Sequence, residues 1–116
     1  MKISKVAELL DASVCIGEEK LDADVHSACG SDMMSDVLAF VKDQAVLLTG
    51  LVNPQVVRTA EMMDMRCIVF VRSKTPTPAM LELADECGIV VLASKLRMYE
   101  ACGILYSNGL NTLKEV

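Results

Sequence analysis

Three polar runs hold most of the residues in this 116-residue chain that could bind a charged small molecule. They are Thr49-Gly50-Leu51-Val52-Asn53-Pro54, Arg72-Ser73-Lys74-Thr75-Pro76 and Ala93-Ser94-Lys95, and each follows an apolar run. Hydroxyls and cations beside the free N–H groups of a helix start suit an anion such as phosphate. Thr49, Gly50, Asn53, Arg72, Ser73, Lys74, Thr75, Ser94 and Lys95 are therefore the candidate ligand-binding residues. The plainer reading makes them solvated loop residues and helix caps. Neither a Walker A pattern nor G-x-G-x-x-G is present, so no motif specifies a nucleotide.

His26 is the one histidine, with Asp22, Asp24, Asp32 and Asp36 close in sequence. Such a set could orient a general base or hold a metal. No G-x-S-x-G elbow or other nucleophile–base pair accompanies it, and Asp32 is adequately explained as a helix cap. No catalytic residue, metal site or cofactor is expected. The five cysteines, Cys15, Cys29, Cys67, Cys87 and Cys102, are odd in number and contain no C-x-x-C pair. They read as reduced thiols acting as small hydrophobes. Redox sensing would require one of them to be exposed with a lowered pKa.

Eight methionines against two tyrosines, two phenylalanines and no tryptophan is an unusual balance. Methionine fills irregular core gaps and also makes adaptable contact surfaces. Met33-Met34 and Met62-Met63 each place apolar side chains around more than one side of a helix. If the core cannot take them all, the surplus forms a subunit interface. With a mean hydropathy of +0.40, a homodimer through Met33, Met34, Met62 and Met63 is favoured.

The elements that must position these residues follow from periodicity. A helix capped by Ser4 spans Lys5 to about Leu10, a short strand runs from Ala12 to Ile16, and Glu18–Asp24 is turn-like. Val25–Gly30 reads as a strand, and Ser31 or Asp32 caps a helix through Val41. Ala45–Thr49, Cys67–Val71 and Ile89–Leu92 are continuous apolar strands. Between them, Asn53-Pro54 opens a helix to about Met63, and Thr75 or Thr77 opens another to Cys87-Gly88. A last helix spans about Leu96 to Tyr106 and stops at Asn108-Gly109. Apolar strands alternating with helices predict a parallel sheet covered on both faces. The ends of its strands would bring the three polar runs to one edge. Residues 1–110 form the expected domain, with 111–116 a tail.

Eleven Lys/Arg against sixteen Asp/Glu give a net charge of −5, which argues against nucleic acid and polybasic membrane contact as partners. No segment reaches the ~18 apolar residues of a membrane span, and the first residues lack a signal-peptide core, so a cytoplasmic protein is expected.

The stretch Leu21-Asp22-Ala23-Asp24-Val25, followed by Ser31-Asp32-Met33-Met34-Ser35-Asp36-Val37-Leu38, resembles the DRTGG domain family. Leu47-Leu48-Thr49, Ala60–Asp64, Leu83–Val91 and Tyr106–Leu110 extend the likeness over about residues 1–110. Ala23 stands where the family often has arginine, and His26-Ser27-Ala28 where it has Thr-Gly-Gly. Such domains are similar to the N-terminal domain of HPr kinase/phosphorylase. The resemblance implies a mixed sheet between helices, hence a three-layer α/β/α sandwich with a mostly parallel sheet of about five strands. It also implies a regulatory, non-enzymatic module, because such domains accompany CBS domains, family II pyrophosphatases and phosphotransacetylases. Stand-alone members near iron-only hydrogenase genes imply a protein partner such as a hydrogenase-associated protein. Two functions remain: a sensing domain for a small anionic ligand or nucleotide at the sheet edge, and a ligand-free interaction module.

Overall fold

A computed structural model describes residues 1–40 and 45–110. The elements in chain order are α1 (Ile3–Leu9), β1 (Ser13–Ile16), a 3₁₀ turn (Glu18–Lys20), β2 (Ser27–Gly30), α2 (Met34–Phe40), β3 (Ala45–Thr49), α3 (Pro54–Met62), β4 (Cys67–Phe70), α4 (Pro78–Glu86), β5 (Val90–Ala93) and α5 (Met98–Ser107). The expected continuation of α2 to Val41 and the 111–116 tail lie outside the described residues.

The five strands form one mixed sheet in the order β1-β5-β4-β3-β2. β2 to β5 are parallel, in chain order, and β1 joins antiparallel at the β5 edge. β3 and β4 are buried at every residue, which is why they read as unbroken apolar runs. Alternate side chains feed two cores. Val46, Leu48, Val69 and Leu92 pack with Ile3 and Val6 of α1 and Ala101 and Leu105 of α5. Leu47, Ile68, Phe70 and Val91 pack with Val37 of α2, Val56 of α3 and Met80 of α4. The result is a three-layer α/β/α sandwich, with α2, α3 and α4 on one face and α1 and α5 on the other.

Local chemistry explains where the helices begin. Pro54 and Pro78 occupy first-turn positions, where the missing N–H leaves no gap in the helix. The side chains of Asn53 and Thr77 accept hydrogen bonds from the amides of Gln55 and Met80. Ser4, by contrast, does not cap α1: it lies inside the helix, and the position before it belongs to Lys2. The free N–H groups of Ile3 and Ser4 donate instead to the carbonyls of Ala23 and Leu21, 2.9 Å in each case. A neighbouring segment thus replaces the side-chain cap.

The expected methionine interface needs correcting. Met34 is only 6% exposed and belongs to the core under α2, and Met63 is half-buried against the same core. Met33 and Met62 remain exposed, at 59% and 70%.

Because β3 contributes to both cores, truncation on one side cannot be absorbed by the other. Leu48→Ala should lower unfolding free energy by about 2–5 kcal/mol in urea titration, with native secondary structure retained below the transition.

Candidate functional site

The right-handed crossovers β2→β3→β4→β5 place α2, α3 and α4 on one face of the sheet. After β5 the chain turns to α5 on the other face. The loops leaving β4 and β5 therefore diverge at the carboxyl edge, and a crevice opens between them. In open α/β sheets this is where ligands sit. Here the crevice has a volume of about 340 Å³ and is lined by Ser73, Lys74 and Thr75 from one loop and Ala93, Ser94 and Lys95 from the other. Asp11 and Ser13 complete the wall, because antiparallel β1 begins at this edge.

Five of the sequence-predicted residues, Ser73, Lys74, Thr75, Ser94 and Lys95, are thus brought to one crevice. The other four are committed elsewhere. Asn53 caps α3. The buried Thr49 hydroxyl donates to Asp32 Oδ1 at 3.0 Å and accepts from the Leu51 amide at 3.1 Å. Gly50 N–H donates to the same Asp32 oxygen at 2.7 Å. Arg72 turns towards Asp32, with Nη2 to Oδ2 at 3.4 Å. Its guanidinium occupies the space a side chain on Gly50 would need, so glycine there permits the approach. Asp32 is therefore not the helix cap expected from its position. It ties the end of β2 to the loop after β3, and the Ser31 hydroxyl instead accepts from Met33 N–H at 2.9 Å.

The loop after β4 is held in an uncommon conformation. Arg72 and Ser73 both have left-handed backbones, φ +60° and +58°. Each such residue costs about 1–2 kcal/mol without glycine. Three hydrogen bonds offset this: Arg72 N–H to Leu96 O at 2.8 Å, Ser73 N–H to Ser94 O at 3.1 Å and Lys74 N–H to Val71 O at 3.2 Å. The first two join the loops beyond the end of the sheet, and Lys74 and Lys95 line the crevice from one loop each. The Ser94 hydroxyl is also structural, donating to Leu10 O at 2.8 Å and accepting from Leu96 N–H at 3.2 Å. Strain held at a loop in a crevice is a common mark of a functional site.

The crevice carries two lysines against one aspartate, a local excess of one positive charge on a chain of net −5. Among the described residues neither Lys74 nor Lys95 is ion-paired. Both are exposed. The arrangement can bind and orient an anion through two ammonium groups and neighbouring hydroxyls. It offers no activated nucleophile. His26 precedes β2 and lies at the opposite edge of the sheet with Asp22 and Asp24, so the clustering considered with Asp32 does not occur. Among the described residues no group of three or more His, Cys, Asp or Glu side chains comes together as a metal would require.

Asp11 and Ser13 escaped sequence reasoning because only the carboxyl ends of strands were counted. The signal available was the shortness of the connection from α1, which would have flagged β1 as an edge strand of either direction. Asp32 was missed as a loop organiser because a serine–aspartate pair before a helix reads equally well as a cap.

All five thiols are pushed above the ordinary cysteine range. Burial does this for Cys15, Cys67 and Cys102, and burial together with the nearby Cys102 and Asp36 does it for Cys29. At Cys87 partial burial acts first, then the hydrogen bond from its thiol to Glu61 Oε2 at 3.1 Å, then the charges of Glu61 and Glu86. This is the reverse of what a thiolate sensor requires.

No protein-family model matches the chain, and no curated protein matches its sequence. Among solved structures, the CBS and DRTGG domains of the regulatory region of Clostridium perfringens pyrophosphatase, complexed with the activator diadenosine tetraphosphate, superpose with a TM-score of 0.71 at 15% identity. The match covers 90% of this chain but 45% of that one, so the chain spans less than half of that structure. At this identity the likeness is one of fold, and the fold agrees with the family resemblance drawn from the sequence.

Ser73→Gly should relieve the left-handed strain and raise stability by up to about 1 kcal/mol, read as a higher thermal midpoint. Asp32→Ala removes the acceptor for the Gly50 amide and the Thr49 hydroxyl and should lower stability by roughly 1–3 kcal/mol. At neutral pH the native thiols should alkylate with iodoacetamide more slowly than free cysteine, with Cys67 protected until unfolding; one fast-reacting site found by peptide mapping would contradict the raised pKa values.

Proposed function

We propose that this chain is a regulatory or sensing module that binds a small anionic ligand, of nucleotide size or smaller, in the crevice between the loops after β4 and β5. The observation that carries this reading is the pair of ammonium groups, Lys74 and Lys95, that line one crevice from two loops joined by hydrogen bonds and, among the described residues, have no ion-pair partner. The volume of about 340 Å³ lies at the small end of ligand pockets, which fits a phosphate-bearing metabolite or a mononucleotide. In this reading Ser73 and Thr75 supply hydroxyl contacts, while Arg72, Thr49, Gly50 and Asn53 support the loops without touching the ligand. No reaction is assigned to the site. The regulatory region that shares this fold is complexed with a nucleotide activator, which supports a signalling role for an anionic ligand. Among the described residues no helix is long and apolar enough to cross a membrane. We place the module's work in the cytoplasm, as the sequence led us to expect.

A second reading is an interaction module without a small ligand. It is favoured by one observation, the apolar outer face of α5, where Tyr99 is 86% exposed.

Isothermal titration with inorganic phosphate, AMP and ADP tests the first reading. Wild-type protein should bind at least one of them, and Lys74→Ala with Lys95→Ala should weaken that binding by about tenfold or more, the loss of one charge-assisted contact or better. Binding should also weaken as salt rises, because both ammonium groups are exposed. No heat with any of the three probes, or equal affinity in the double variant, would overturn the site.

A further inference from the structure

We infer that the outer face of α5 receives a second copy of this chain, the two helices lying antiparallel across a two-fold axis at Gly103. This goes beyond the ligand reading and does not depend on it.

α5 buries Ala101 and Leu105 against the sheet. Its opposite side carries Tyr99, Gly103 and Tyr106, spaced i, i+4 and i+7, hence one stripe along the helix. Tyr99 is 86% exposed and Tyr106 48%. These are the only two tyrosines in the chain, which has no tryptophan. Tyrosine is enriched at interfaces because its ring gains from burial while its hydroxyl stays wet or bonded. Both side chains with that character are therefore spent on one surface stripe. A broad apolar depression of about 960 Å³ follows the same stripe.

Among the described residues Gly103 has no packing reason to be glycine. Apart from its own helix backbone and chain neighbours, no described atom lies within 4 Å of the position a Cβ would take, and its φ is not in the left-handed region. Gly30 shows the contrast: a Cβ there would collide with Cys102 Sγ, so glycine lets α5 sit close on β2. Glycine inside a helix is unfavourable, and only proline is worse. At Gly103 nothing among the described residues compensates, whereas close approach of a second backbone from outside would.

The stripe is self-complementary in size and charge. Gly103 sits one turn from each tyrosine, giving a large–small–large profile. A two-fold axis through Gly103 lets the backbones meet at the centre and sets each Tyr99 beside the partner's Tyr106 at the ends, the reciprocal pattern of an isologous contact. Among the described residues this face carries Glu100 as its one charged residue, so a strongly basic or acidic partner would find little there to pair with. A near-neutral face is instead the place where two chains of net −5 can touch with least repulsion. A ten-residue helix is about 15 Å long, so the contact is small and the dimer should be reversible in the micromolar range.

Sedimentation velocity across the micromolar range, paired with intrinsic tyrosine fluorescence, tests this. With no tryptophan present, the emission comes only from this stripe. Wild type should pass from monomer to dimer with a matching change in tyrosine emission. Gly103→Glu should be monomeric at every concentration with an unchanged or higher thermal midpoint, since its side chain enters open space. Tyr99→Lys, at a residue too exposed to matter for folding, should also be monomeric, whereas Met33→Ser with Met62→Ser should dimerise like wild type. A wild-type monomer throughout, a dimer that persists in Gly103→Glu and Tyr99→Lys, or a dimer lost in the methionine variant would each overturn the assignment.

Discussion

Burial of the central strands on both faces is the constraint from which the rest of this structure follows. β3 and β4 expose no residue, so helices must cover both sides of the sheet. Right-handed crossovers send α2, α3 and α4 to one side. Only α1 and α5 remain for the other, and α5 reaches it because the chain changes face after β5. The divergence of the loops after β4 and β5 is thus a consequence of covering the core. The crevice exists because the hydrophobic effect demands a second layer, and its polar lining is what the sequence places at that divergence.

The polar groups at this edge divide into two kinds of work. Asp32, Thr49, Arg72 and Ser94 spend their hydrogen-bonding capacity on neighbouring backbone and side chains. They hold loops whose own amides would otherwise lack partners. Lys74 and Lys95 make no such commitment among the described residues. The left-handed pair Arg72-Ser73 connects the two groups, since its amides bond the loop after β5 and Lys74 follows it directly. An ion pair such as Arg72–Asp32, half exposed on both sides, adds little stability by itself. Its larger effect is to remove an arginine from the set that can meet an anion.

The sequence made the fold legible where burial is complete. The unbroken apolar runs at Ala45–Thr49 and Cys67–Val71 read as buried strands, and Asn53-Pro54 marked a helix start through proline's fixed geometry, whereas Thr75-Pro76 and Thr77-Pro78 read equally well as the next start and the structure uses the second. Legibility failed where a tertiary partner replaces a local one. Ser4 looked like a cap, but carbonyls of residues 21 and 23 satisfy that helix end. Asp32 looked like a cap, but its partners are 17 and 18 residues away. Met34 looked like surplus surface, but α2 turns it into the core. The three polar loops were visible as a set, yet which of them share a crevice depended on the helix faces. No spacing rule reveals those without the sheet order.

The strand order carries a consequence for how the chain acquires its structure. β2 to β5 add side by side in the order they are made, so each new strand finds its neighbour already in place and the contacts close short loops. β1 behaves in the opposite way. Its one neighbour is β5, with Ser13 opposite Ala93, so it must wait some eighty residues for a partner. α1 contributes Ile3 and Val6 to one core, and Val14 of β1 packs against it. That apolar segment meets its strand partner only across a long stretch of chain. Its registration on β5 is the step that closes the second layer and joins Leu10 to Ser94 at the crevice wall. The edge that carries the crevice is therefore complete only once β5 has met a strand some eighty residues earlier in the chain.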